Sequence, residues 1–230
     1  MTKLSPQPMP FAPPDAPPLP RVDPIARLPI LVLFPHSRCN CRCLMCDIWR
    51  ATTRDELSAA DVAGWLAEWR GLGVRRVVLS GGEALMHSRL WELCGHLRAA
   101  GIGITILSTG LLLRRHAAAL VEYCDDVVVS LDGPPPLHDQ IRNIPRAYAR
   151  LAEGVAAVKA ADPRVIVSGR CTVQRGNFRF LRATVAAAHE LGLDRISFLA
   201  ADVSSAAFNR PAGWDGERVA QVALEPGDLP

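Results

Sequence analysis

Four of the seven cysteines fall within eight residues, in the run Cys39-Asn-Cys-Arg-Cys43-Leu-Met-Cys46. Thiols this close in sequence are metal ligands or disulfide partners, and the redox compartment decides between the two. The sequence shows no apolar signal region at its start and no long apolar run, which reads as a cytoplasmic chain without a membrane span, its thiols reduced. Cys39, Cys43 and Cys46 then form a C-x3-C-x2-C set. Iron–sulfur clusters are normally held by four thiolates. Three on one compact loop leave one iron open to an outside chelate, such as the amino and carboxylate groups of an amino acid. Zinc is the competing metal, but its structural sites take two separated ligand pairs, and Cys39-x-Cys41-x-Cys43 is too tight for that. The ferredoxin run C-x2-C-x2-C-x3-C-P is absent.

The remaining candidates are weaker. Cys41 lies outside the triad and is expected to point off the loop. Cys94 and Cys124 fall on apolar helical faces and read as core, while Cys171 sits on a strand where it could face a cavity. His36 reads as a satisfied histidine at a strand end. His87, His96, His116, His138 and His189 have no metal spacing and read as surface or capping residues.

The elements that must position the loop follow a strand-then-helix rhythm. Apolar strands are expected at 30–34, 77–79, 102–107, 127–131, 165–173 and 196–199. Ser58-x-x-Asp61 is a helix-start signature, followed by Val62, Trp65, Leu66 and Trp69 on one helical face. Leu90, Leu93, Cys94 and Leu97 mark a second face. Further helices are expected at 111–123, 146–161 and 178–191. Short apolar strands between helices suit a parallel α/β sheet, wound into a partial, TIM-like (β/α)6 barrel or, alternatively, an open doubly wound sheet. The strands exit into Ser80-Gly-Gly-Glu83, Ser108-Thr-Gly110, Ser130-Leu-Asp-Gly133 and Ser168-Gly-Arg170, so small and polar residues gather at the edge where parallel sheets bind ligands.

The loop, placed directly after the first strand, resembles the signature of the radical S-adenosylmethionine (SAM) superfamily, C-x3-C-x-Φ-C, with Met45 at Φ. Gly81-Gly82-Glu83 resembles that superfamily's Gly-Gly-Glu-Pro motif, with Ala84 in the proline's place. The resemblance implies a partial (β/α)6 barrel with a [4Fe–4S] cluster on Cys39, Cys43 and Cys46, and SAM chelating the fourth iron. Gly81, Gly82 and Glu83 would hold the SAM ammonium, and Ser108 and Ser130 would face SAM. Asp132 would take the ribose or the substrate, Arg170 the SAM carboxylate or ribose, and backbone near Leu199 the adenine. Asn177 follows in a turn like those of relatives, with a helix cap as the equal alternative. Reductive cleavage of SAM would yield methionine and a 5′-deoxyadenosyl radical that abstracts hydrogen from a substrate. That substrate is left open among a peptide, a lipid, a nucleoside and a cofactor precursor. An electron donor such as flavodoxin or ferredoxin is implied.

Composition sets the frame. The chain has 230 residues, 49% of them hydrophobic, and a net charge of +3 carried almost wholly by arginine, with no basic run that would read as a nucleic-acid stripe. Residues 1–29 hold ten of nineteen prolines and read as a disordered leader, 30–200 as the barrel, and 201–230 as a tail of loop with a short helix. The layout resembles the SPASM/twitch branch, whose C-terminal domains carry further cysteines. None follows Cys171, so the chain reads as a single-cluster member or a truncated form. A non-catalytic iron–sulfur or zinc module is the functional alternative, disfavoured because a mere holder needs no SAM-shaped strand ends.

Overall fold

The computed structural model describes residues 25–228, so the expected leader lies outside the described residues up to position 24. Six strands run in parallel: β1 (Ile30–Leu33), β2 (Arg76–Leu79), β3 (Gly103–Ser108), β4 (Asp126–Ser130), β5 (Ile166–Val173) and β6 (Arg195–Ala200). Their order in the sheet is their order in the chain. A doubly wound sheet reverses strand order at a switch point. Here no reversal occurs, every crossover falls on one face, and the sheet curls into a partial TIM-like barrel whose edges are β1 and β6.

Alternation along the strands sorts the residues. Val77 and Leu79, Ile104 and Ile106, Val127 and Val129, and Val167 face outward and join one core beneath the helices. The opposite register carries Ser130, Arg170 and Thr172 into the barrel. On β1, Leu31 and Leu33 pack on the core while Ile30, Val32 and Phe34 remain exposed on the other face. A one-residue slip would exchange the two sets, so the apolar face fixes the register.

The helices follow from local chemistry. α1 (Ala59–Gly71) starts on a full capping box between Ser58 and Asp61. It buries Val62 and Trp69, while Trp65 stays partly exposed against Trp69, their ring centroids 5.8 Å apart. α2 (Leu90–Ala99) buries Leu90, Leu93, Cys94 and Leu97 as its sequence spacing requires. α3 (Leu113–Tyr123), α5 (Ala147–Ala161) and α6 (Leu181–Glu190) complete the outer layer. One helix differs from the sequence reading and one matches it. α4 (Pro135–Arg142) lies between the fourth strand and the helix at 146–161, where the sequence reading has no helix; proline occupies its first turn, where no N–H is needed. α7 (Gly216–Val222), capped by Asp215, is the short helix of the C-terminal segment.

Leu93 is fully enclosed in this core. Leu93→Ala is expected to cost about 2–5 kcal/mol, read as a lower urea midpoint at unchanged slope.

Candidate functional site

The cysteine loop between β1 and α1 has little regular structure of its own, a single 3-10 turn at Ile48–Arg50. Its neighbours hold it. Glu83 N–H donates to Arg38 O at 2.9 Å, and Thr109 Oγ1 lies 2.9 Å from the Asn40 side-chain amide. Arg42 and Leu44 donate their amides to the carbonyls of Arg142 and Ile141 at the end of α4. From the C-terminal segment, Trp214 Nε1–H donates to Asp47 Oδ2 at 2.6 Å, Asn209 Nδ2–H to Asp47 O, and Arg218 to Leu44 O.

Gly81 and Gly82 let β2 exit against this loop. Gly81 takes φ +99, and a Cβ on Gly82 would lie 2.0 Å from Arg38 O. The approach is therefore backbone on backbone.

Loop and strand ends enclose one cavity of about 310 Å³. Cys39, Cys43, Met45 and Cys46 form one wall. Gly81, Gly82, Ser108, Ser130, Arg170 and Leu199 form the rest, so ten of the sequence-nominated residues meet here. Two do not reach the wall. Glu83 is fully buried behind it, its carboxylate accepting from Ser108 and Thr109 hydroxyls and from the amides of Thr109 and Leu85. Burial pushes this carboxyl up, and those donors oppose the rise. Asp132, nominated for ribose or substrate, is also fully buried. It accepts from Thr172 N–H at 2.9 Å and pairs with Arg142 Nη2 at 2.6 Å, which turns its carboxylate inward to the protein.

Other expectations are corrected. Cys41 does not point off the loop; it is buried beside Cys43, its thiol within hydrogen-bond reach of that sulfur. Cys171 faces the core, one residue out of register with the cavity-facing Arg170 and Thr172. Asn177 makes no cap; it ties the β4 and β5 exits together through Asp132 O and Thr172 O. His138 is buried, its Nδ1 accepting from Asp132 N–H, and burial lowers its pKa to about 3. His87 is buried too, bonded to Leu57 O. Arg142, Thr109, Asp202 and Phe208 also line the cavity and were missed. Arg142 lies in the unexpected α4, and Asp202 and Phe208 lie beyond the last strand.

Among the described residues no three His, Cys, Asp or Glu side chains converge as a single-ion site. The three thiols are instead spaced around one cavity wall. Burial raises Cys39 to about 12 and Cys46 to about 11, whereas Cys43 is lowered by hydrogen bonding from Cys41 and by the charge of Arg142.

The sequence profile described as the radical SAM superfamily matches residues 33–178. The chain belongs to the radical SAM superfamily. It is 26% identical over 159 residues to the AdoMet-dependent heme synthase of Methanosarcina barkeri, covering 67% of this chain and 45% of the relative. It is 30% identical over 183 residues to the PqqA peptide cyclase of Xanthomonas axonopodis pv. citri, covering 75% and 47%. The crystal structure of Streptococcus suis SuiB bound to S-adenosylmethionine superposes with a TM-score of 0.68 at 18% identity, over 80% of this chain and 43% of that one. The chain thus spans less than half the length of these relatives.

Members of the radical SAM superfamily bind a [4Fe–4S] cluster and SAM. The cavity fits that pair. Three thiols share a wall without a fourth cysteine, and the buried Nε of Arg170 has no hydrogen-bond partner, which suits a carboxylate. Gly82→Ala is expected to displace the loop at about 1–3 kcal/mol of stability. The reconstituted variant should hold much less iron than the parent, measured by iron analysis.

Proposed function

We propose that this chain performs radical SAM chemistry, with Cys39, Cys43 and Cys46 ligating a [4Fe–4S] cluster and SAM bound against its open iron. One observation carries the reading: the three thiols and Arg170, whose buried Nε has no hydrogen-bond partner, line the same cavity. A cluster holder or a zinc module needs the first feature and not the second. The cofactors supply reductive cleavage of SAM and a 5′-deoxyadenosyl radical able to take hydrogen from a substrate.

The chain's own residues bind and exclude. Arg170 takes the SAM carboxylate through its fork. The exposed edges of Gly81 and Gly82 offer carbonyls to the ammonium. Glu83 acts from behind, its four donors at Leu85, Ser108 and Thr109 keeping the turn and the β3 exit in register. Ser130 and the β6 exit at Leu199 complete the nucleoside side. Met45 and Leu107 make the wall apolar, which keeps water from the reacting atoms. Asp202 and Phe208 close the side that strand ends leave open.

Anaerobic reconstitution should give a brown protein with about four irons. With SAM and a strong reductant it should release 5′-deoxyadenosine, measured by chromatography. Cys43→Ala should reduce release to background. A colourless protein holding one zinc, or undiminished product from Cys43→Ala, would overturn the proposal.

A further inference from the structure

The three triad sulfurs are not equivalently surrounded. Ile48 N–H donates to Cys46 Sγ at 3.4 Å. Cys43 instead receives a charged side chain: Arg142 Nη1–H donates to its Sγ at 3.4 Å. The same guanidinium places Nη2 2.6 Å from Asp132 Oδ2, with side-chain exposures of 8% and 0%. Asp132 is fixed in turn by Thr172 N–H and by its own amide on His138 Nδ1. A buried guanidinium therefore has one nitrogen locked on a carboxylate and another aimed at a thiol of the cavity wall.

We propose that Arg142, oriented by Asp132, is a positioning residue that raises the reduction potential of the cluster through its hydrogen bond to the Cys43 thiolate. The proposal rests on the cluster ligation put forward above. Reduction by one electron from an outside donor adds a negative charge to the cluster and its sulfurs. A donor on a ligating sulfur stabilises the reduced form more than the oxidised one, and hydrogen bonds to sulfur are an established lever on such potentials. Burial strengthens the effect, because little water competes. Asp132 offsets the net charge, so the local N–H donation carries the difference.

Arg142 also has a plainly structural task, since its carbonyl accepts from Arg42 N–H in the loop. The test must therefore read a potential. The double variant Arg142→Met with Asp132→Asn keeps the net charge of the pair and removes only the donor. In the reconstituted full chain, a redox titration followed by EPR should show a lower midpoint, by roughly tenfold in the one-electron equilibrium, about 59 mV. An unchanged midpoint at full iron content overturns the proposal. Should the double variant lose its iron, protein labelled with guanidinium-15N arginine decides. It would be measured with Arg170→Lys, which removes the one other guanidinium that lines the cavity among the described residues. A 15N hyperfine coupling on the reduced cluster supports the contact, and its absence overturns it. Failure of the unaltered protein to bind iron would instead strike the ligation itself.

Discussion

An irregular loop can be buried only if its backbone finds partners, and this requirement organises the structure around residues 38–47. A buried amide left unpaired costs about 1–3 kcal/mol. The loop meets the demand by borrowing from three directions: the β2 exit, the end of α4 and the C-terminal segment. Each lender is constrained in return. Gly82 must lack a side chain because Arg38 O occupies the place of its Cβ. Glu83 must be both a backbone donor to the loop and a buried acceptor for Thr109, so two strand exits are locked to one turn. Trp214 reaches Asp47 from far along the chain, which makes residues after β6 part of the cavity wall.

The electrostatics follow from the same burial. Away from water, Cys39 and Cys46 favour the neutral thiol. Ligation as proposed would displace their protons, which links metal affinity to pH. Cys43 differs because a buried ion pair stands beside it. Asp132 and Arg142 each oppose the cost of burying the other: desolvation disfavours charge on both, and their mutual attraction works against it. Such a pair contributes little net stability compared with apolar packing, yet it points a fixed donor at one sulfur. Sequence distance hides this arrangement, since Asp132 follows β4, Arg142 ends α4 and the sulfur lies in the cysteine loop.

Much of this was legible from residue order. The capping box at Ser58 and Asp61, the stripe of Leu90, Leu93, Cys94 and Leu97, and the six strands are local signals, and local hydrogen bonding or periodicity suffices to read them. Gly81, Gly82, Ser108, Ser130 and Arg170 could be nominated because parallel strands present their C-terminal ends at one edge. The misreadings share a cause. Cys171, Cys41 and Asp132 were placed by neighbourhood in sequence, whereas their orientation depends on pleat parity and on what lies behind the wall. α4 went unread because its prolines signal a turn as readily as a first helical turn, and Arg142 was lost with it.

The cysteine loop shows where the two kinds of information divide. Thiol spacing within one short segment is a covalent property, so the sequence alone determined the C-x3-C-x2-C set and the parallel βα framework around it. Which groups stand behind each thiol is a matter of long-range packing. Arg142 reaches Cys43 across 99 positions and Trp214 reaches Asp47 across 167. Contacts of that separation leave no periodic trace, because nothing in local backbone geometry links their ends. Only the curl of the sheet, with α4 and the C-terminal segment folded against the loop, decided that a buried ion pair would stand beside Cys43.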